Sequence, residues 1–230
     1  MSKMKIATAL LGGLLTSVCG GGAQAVQITY ADFGGGSSLS TPNFNVTATG
    51  GNFEQKTVGG SSGVGVGSES NSVVAGEIDG GLQGGPESIS FTAVGQQRLN
   101  SFTVAFLYPT GVFGDGPNET ARIIINGITY TLTVEDSDTA TFSSGLGSVS
   151  SDNPGGGQWT VSFLNPFLLQ SIVFAPGNGG PVAADGDFAF NQLTTSPVPG
   201  PIVGAGLPGL MMALGGLVVL ARRRRNQACV

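Results

Sequence analysis

The chain has 230 residues and contains no histidine, so Ser-His-Asp and Cys-His catalysis and any zinc site built on imidazole are excluded. All 14 Asp and Glu residues lie between residues 26 and 193, where Lys56, Arg98 and Arg122 are the only cations, which gives this stretch a formal charge of −11. Such a charge repels phosphate backbones, which argues against nucleic acid as a partner and favours divalent cations or neutral sugars.

The first 25 residues have the three parts of a secretory signal peptide. Two lysines precede an apolar run, and Ala23 and Ala25 form a small-residue cleavage site for signal peptidase. We therefore expect an exported chain that begins at Val26. A lipoprotein signal is the competing interpretation because Cys19 follows the apolar run, although the bulky residue before it disfavours lipidation.

Residues 26–193 have the composition of one all-β domain, since glycine, serine and threonine are abundant and no segment has helical periodicity. Residues 34–40 and 59–72 are rich in glycine and serine and are predicted to be loops or weak edge strands. Short strands that alternate apolar and polar residues predict two antiparallel sheets packed face to face, as a β-sandwich or jelly roll. The predicted core residues are Ile89, Phe91, Ala93, Phe102, Val104, Phe106, Trp159, Val161, Phe163, Phe188 and Phe190.

Residues 121–134, ARIIINGITYTLTV, contain the strongest local signal. Asn126 and Gly127 separate two β-rich runs, and an Asn-Gly pair readily adopts the positive φ angles of a type I′ turn. A β-hairpin is therefore predicted, with one buried and one wet face. The residues expected on the buried face after the turn are Ile128, Tyr130, Leu132 and Val134.

The two cysteines, Cys19 and Cys229, fall in the predicted signal peptide and in the C-terminal tail. The domain between them has no disulfide, although an exported compartment would permit one. The fold must therefore be stabilised by its own core or by a bound metal ion.

Acidic residues are concentrated at four predicted loops or strand ends. Calcium takes about six to eight oxygen ligands, which closely spaced carboxylates and backbone carbonyls can provide. If early and late strands meet at one end of the sandwich, Glu77, Asp79 and Asp187 could hold a calcium ion there. The alternative is that they are solvated turn residues. The four groups are Glu77 with Asp79, Asp115 with Asn118 and Glu119, Asp136 with Asp138, and Asp185 with Asp187.

Two further site types are open. Asp115 and Glu119 could act as the general acid and base of a glycosidase, and the alternative is turn chemistry. Tyr108 and Phe113 flank a predicted turn and could stack on a sugar ring, and the alternative is packing over the rim of the sandwich. Trp159 belongs to an alternating strand and is assigned to the core.

The C-terminal end has the features of a membrane segment. Residues 194–201 form a linker, and residues 202–221 carry no charge and match the roughly 20 apolar residues of a transmembrane helix. The positive-inside rule keeps the tail, residues 222–230, in the cytoplasm and the domain outside. The basic residues that stop translocation are Arg222, Arg223, Arg224 and Arg225.

The same end contains a short motif, Val198, Pro199, Gly200 and Pro201, directly before the apolar segment and the arginines. This layout resembles the PEP-CTERM sorting signal of Gram-negative bacteria, with Gly200 in place of the usual glutamate. The resemblance implies processing by an exosortase-type sorting enzyme. It also implies the inner membrane as an intermediate and the cell surface or extracellular matrix as the destination.

The middle of the chain resembles a β-sandwich ectodomain that is common among PEP-CTERM proteins. The resemblance is carried by GGNFEQK at residues 50–56, GEIDGG at 76–81 and the stretch 106–132. That family has no firmly assigned activity, so the resemblance implies fold and location only.

The sequence thus predicts a non-enzymatic surface or matrix protein that takes part in adhesion and contacts extracellular polysaccharide in a biofilm. Two alternatives stay open. One is a small carbohydrate-active enzyme that works with carboxylates, and the other is a structural protein that remains anchored in the membrane.

Overall fold

The structure is a computed structural model that describes residues 24–67, 75–80, 86–112, 118–143, 145–177, 186–198 and 214–218. Ala23, the three motif residues after Val198, the four arginines and most of the predicted transmembrane segment lie outside these ranges. Residues 214–218 are helical, and among the described residues no helix is both long and apolar enough to cross a membrane.

The domain is all-β, as predicted, and its strands form one open antiparallel 12-stranded sheet. The strands are β1 Val26–Thr29, β2 Ser38–Ser40, β3 Phe44–Thr49, β4 Asn52–Val58, β5 Ser61–Gly67, β6 Ser88–Ala105, β7 Thr120–Ile125, β8 Ile128–Val134, β9 Ala140–Phe142, β10 Gly147–Asn153, β11 Gln158–Pro176 and β12 Ala189–Pro197. The main strand order is β4-β5-β12-β6-β11-β7-β8-β9, with β3 also on β6, β10 on β11 and β1 on β12.

Two long strands, β6 and β11, run through both halves of this sheet. The first half of β6 pairs with β3 and with the last part of β11, whereas its second half pairs with β12 and with the first part of β11. Register shifts interrupt the β6–β11 ladder between these halves, as expected where strands bend. The sheet therefore folds over itself in a sandwich-like arrangement, with the core between the two layers.

The predicted core is largely confirmed. Phe91 of the first half of β6 lies 4.8 Å, between ring centroids, from Phe190, which pairs with the second half of β6. Trp159 is 1% exposed and donates its indole N–H to the Leu107 carbonyl at 2.9 Å. Of the predicted core positions, Ala93 alone is only partly buried.

The predicted hairpin is also confirmed. Strands β7 and β8 pair up to Ile125 opposite Ile128, so Asn126 and Gly127 form a two-residue loop, with φ angles of 51° and 83°. The predicted alternation holds at Leu132, which is fully buried, but it is wrong at Ile128, which is 59% exposed. Ile128 directly follows the two-residue turn, at the end of the hairpin.

Asn126 also holds the turn against β11. Its side chain donates to the Leu168 carbonyl at 2.8 Å and accepts from the N–H groups of Gln170 and Ser171 at 2.7 and 3.2 Å. We expect Asn126→Ala to lower the free energy of unfolding by about 2 kcal/mol, because these bonds are lost and alanine is strained at positive φ. Chemical denaturation measures this loss, and Thr129→Ala, on the exposed side of the same hairpin, is the control. An equal midpoint for both variants would contradict the bracing role of Asn126.

Residues 61–67 are not the predicted loop or weak edge strand. They form β5, which lies between β4 and β12, and Val64 and Val66 are completely buried. The intervening glycines are needed for close approach: a Cβ at Gly65 would lie 2.3 Å from Cα of Glu77. Glycine in this strand therefore reflects tertiary contact rather than a loop.

Candidate functional site

A cluster of ionisable side chains lies at the end of the sandwich where β6 ends and β12 begins. Glu77 and Ile78 form a short bridge between β5 and Phe188, the residue before β12. The Val66 N–H donates to the Glu77 backbone carbonyl at 2.9 Å, and the Ile78 N–H donates to the Phe188 carbonyl at 2.6 Å. This bridge carries the Glu77 side chain to the interior, next to Asp187. We call this end of the domain the open end.

Glu77 is the centre of this cluster. Its carboxyl group accepts a hydrogen bond from Lys56 Nζ at 2.5 Å, and the Glu77 side chain is only 6% exposed. The same ammonium group lies 5.4 Å from the ring centroid of Phe106, a cation–π distance. On its other side, Glu77 is hydrogen-bonded to Asp187.

Burial raises the pKa of Glu77 to about 8. The hydrogen bond with Lys56 lowers it and the neighbouring charge of Asp187 raises it, and the desolvation of the carboxyl group is the largest effect. At neutral pH the Glu77 carboxyl group therefore retains its proton, which allows it to donate to Asp187.

Tyr108 and Glu119 form a second pair beside this cluster. The buried Glu119 carboxylate accepts the Tyr108 backbone N–H, and the Glu119 N–H donates to the Tyr108 carbonyl at 3.1 Å. Burial, together with the charges of Glu77, Glu119 and Asp187, raises the pKa of the Tyr108 phenol to about 12. Glu119 thus braces the chain between β6 and β7.

The prediction that Tyr108 is an exposed platform for sugars is wrong, because its side chain packs against Phe106 and Ala189 and is 7% exposed. Phe113, its predicted partner, lies outside the described residues, as does Asp115, the proposed catalytic partner of Glu119.

Asp79 and Glu87 form a third pair. The Asp79 N–H donates to the Glu87 carboxyl group at 3.1 Å, and the Glu87 N–H donates to the Asp79 carbonyl at 3.0 Å. Burial raises the pKa of Glu87 to about 7, with a hydrogen bond from Asp79 lowering it and the charge of Asp79 raising it. The pair joins the two ends of the segment between the bridge and β6.

The three predicted calcium ligands are therefore divided between two pairs. Glu77 lies with Asp187, whereas Asp79 lies with Glu87. Within the described ranges no three His, Cys, Asp or Glu side chains are grouped so that they could hold a metal ion. The calcium hypothesis gains no support from this arrangement, and Asp185 lies outside the described residues.

Sequence reasoning missed two members of the cluster. Lys56 could have been found, because it is the only lysine of residues 26–193, a stretch with 14 Asp and Glu residues and three cations. Nothing in the sequence indicated that Glu87 is buried, since a glutamate before a strand is ordinarily solvated. Glu87 is buried because it pairs with Asp79. The spacing of the two residues in the sequence does not predict that the chain between them brings them together.

Comparison with protein-family models, with curated proteins and with solved structures finds no match for this chain.

The raised pKa of Glu77 predicts a pH-dependent stability. The folded chain keeps this proton at pH values where the unfolded chain, with its carboxyl pKa near 4.5, has lost it. The contribution of the neutral carboxyl group is complete below about pH 4.5 and is lost as the pH rises towards 8. We expect the melting temperature to fall from pH 5 to pH 8, and Glu87 contributes in the same direction.

Glu77→Gln tests this prediction, because the amide keeps the shape of the carboxyl group and does not ionise. The variant should lose a large part of the pH dependence and be more stable than the parent chain at pH 8. Glu135→Gln, at an exposed carboxylate, is the matched control. If both variants followed the parent's pH profile, Glu77 would not be the titrating group.

Proposed function

We propose that this chain is an exported β-sandwich of the jelly-roll type that is sorted by its C-terminal segment to the cell surface or extracellular matrix. It acts there as a non-enzymatic adhesion component that contacts extracellular polysaccharide. The observation that carries the proposal is the layout of the chain, with a signal peptide at one end and the VPGP motif, apolar segment and arginines at the other.

The domain between these ends fits such a role. It is all-β and has no cysteine, so its stability does not depend on the redox state of the compartment. Its negative charge favours uncharged, hydroxyl-rich ligands over phosphate-rich ones. No aromatic side chain of the described residues is exposed, so polysaccharide would be held by hydrogen bonds from the Ser, Thr and Asn side chains of the outer faces.

The carboxyl pairs do not favour the enzyme alternative. Glycosidases hold their two carboxyl groups about 5 to 9.5 Å apart so that the sugar and a water molecule fit between them. Glu77 and Asp187 are in hydrogen-bonding contact, which leaves no room for either. Glu119 is used as a brace for the Tyr108 backbone.

Cell fractionation with intact-mass measurement in the native host tests sorting. We expect a chain at the surface or in the medium that begins at Val26 and lacks Arg222 to Arg225. Replacing Pro199 and Pro201 together with alanine should retain the full C-terminal end in the inner membrane, whereas Pro197→Ala, just outside the motif, should be sorted normally. If the unaltered chain keeps its arginines and stays in the inner membrane, it is an anchored protein and the sorting proposal fails.

Polysaccharide purified from the host's matrix tests the second half of the proposal. We expect retention of the domain on the immobilised polysaccharide without release of reducing ends. Release of reducing ends would instead establish the enzyme alternative, and the absence of both would leave a structural protein without a ligand.

A further inference from the structure

The described chain leaves the domain at the end opposite the Glu77 cluster. Strand β12 ends at Pro197, and the Val198 N–H donates to the Gln96 carbonyl at 3.0 Å. Next to this contact, Gln97 of β6 pairs with Pro197 of β12 on one side and with Leu169 of β11 on the other. We call this region, residues 94–98, 126–128, 146–147, 163–171 and 196–198, the exit end.

The exposed large apolar side chains of the domain are gathered at the exit end. Leu164 follows Phe163, which pairs with Gly147, and the Asn126 side chain binds the Leu168 carbonyl, so these turns lie side by side. Among the described residues up to Val198, Val58 alone is a large exposed apolar residue placed elsewhere. The apolar residues of the exit end are Val94, Ile128, Leu146, Leu164 and Leu168, which are 43, 59, 51, 86 and 45% exposed.

The carboxylates of the domain lie outside the exit end, where the apolar side chains are gathered. The exit end contains Arg98, whose guanidinium donates to the Pro166 carbonyl at 3.0 Å, and it contains no Asp or Glu. Arg98 is the one exposed cation of residues 24–198, since Lys56 is paired with Glu77 and Arg122 is half-buried. The Glu77 cluster lies at the other end of β12, a strand that extends over roughly 26 Å.

We propose that the exit end lies against the lipid surface from which the C-terminal segment emerges, with its apolar side chains in the interface and Arg98 among the lipid phosphates. The inference concerns the chain before its C-terminal end is removed, and it rests on the proposed function, because it requires residues 202–221 to span the membrane at that stage. Three residues separate Val198 from Ile202, and even fully extended the four steps between them reach at most about 14 Å. The end that must lie near the bilayer is thus the one with exposed leucines, one cation and no carboxylate.

This orientation assigns the two ends different tasks. Apolar side chains and a cation suit the interfacial zone of a bilayer that contains anionic lipids. The acidic open end would be repelled by the same lipids and would face the extracellular side.

Site-specific labelling tests the contact. The chain is purified from the membranes of producing cells with Cys19→Ser and Cys229→Ser, which removes both native thiols. Leu164→Cys or Ser137→Cys then carries an environment-sensitive fluorophore. Ser137 is exposed at the open end, between the strands that end at Val134 and begin at Ala140, so it is the matched control. Each variant is reconstituted in phosphatidylethanolamine–phosphatidylglycerol vesicles, with and without doxyl-labelled lipid.

We expect the label at position 164 to shift to the blue and to lose emission to the doxyl lipid, while the label at position 137 does neither. Equal, unquenched emission from both positions on vesicles that carry the chain would overturn the inference. A blue shift at position 164 that appears without vesicles and vanishes on dilution would show a second copy on this surface and would also overturn it.

Flotation of the same samples separates the two proposals. If the chain that still carries Arg222 to Arg225 by intact mass does not float with the vesicles, residues 202–221 do not anchor it and the proposed function fails together with this inference. If it floats and position 164 is unquenched, only the inference fails. Arg98→Gln with Leu168→Ser should reduce the quenching at position 164 without releasing the chain from the vesicles.

Discussion

Gly65→Ala should lower the free energy of unfolding by about 3 kcal/mol or more. A Cβ at this position would lie 2.3 to 2.4 Å from three backbone atoms of Glu77. Backbone cannot turn aside as a flexible side chain can, so the bridge at Glu77 must move away from β5 and lose its hydrogen bond with Val66. Urea denaturation followed by circular dichroism measures the loss.

Gly35→Ala is the matched control for this variant. No heavy atom lies within 4 Å of a Cβ built at Gly35, and its φ is not positive. We expect its effect to stay within about 0.5 kcal/mol. Comparable midpoints for the two variants would show that β5 tolerates a side chain towards Glu77 and that the close approach is not essential.

Phe91→Ala should cost about 3 to 5 kcal/mol, which is a large part of the stability of a typical domain. The ring is completely buried and lies 4.8 Å from Phe190 and 5.8 Å from Phe174, between ring centroids. Its removal leaves a cavity at the point where the two halves of the folded sheet meet. We expect a lower melting temperature and a less cooperative transition.

Ile128→Ala provides the comparison, because Ile128 is 59% exposed and removing its side chain leaves no cavity. Its effect should stay within about 0.5 kcal/mol. A small loss in Phe91→Ala, similar to that in Ile128→Ala, would mean that the layers are held together mainly at other contacts.

The features that the sequence predicted correctly are local ones. Asn126 and Gly127 specify a turn by their own backbone preferences, and the alternation around Phe102 and Trp159 reports which face of each strand is buried. Both signals are contained within a few residues. Neither requires knowledge of which strands are neighbours.

The features that were missed depend on contacts between distant segments. Gly65 has the appearance of a loop residue until the Glu77 backbone is seen against it. The position of Glu77 beside Asp187 agrees with the expectation that early and late strands meet, but Asp79 turns to Glu87 instead. Residues two apart share one face of an extended strand, which is why the spacing suggested a common site. The Asp79 backbone is instead paired with Glu87, a contact that the local spacing does not encode.

The course of β12 has a mechanical consequence. The strand starts at the open end and ends at Pro197. It is bordered by β6 on one side and, over parts of its length, by β5 and β1 on the other. A force that pulls on the C-terminal segment while the open end is held acts along β12. The ladder hydrogen bonds are perpendicular to that direction, so they are loaded together in shear and cannot be opened one at a time. Pulling at Val198 therefore has to break many of these hydrogen bonds at once.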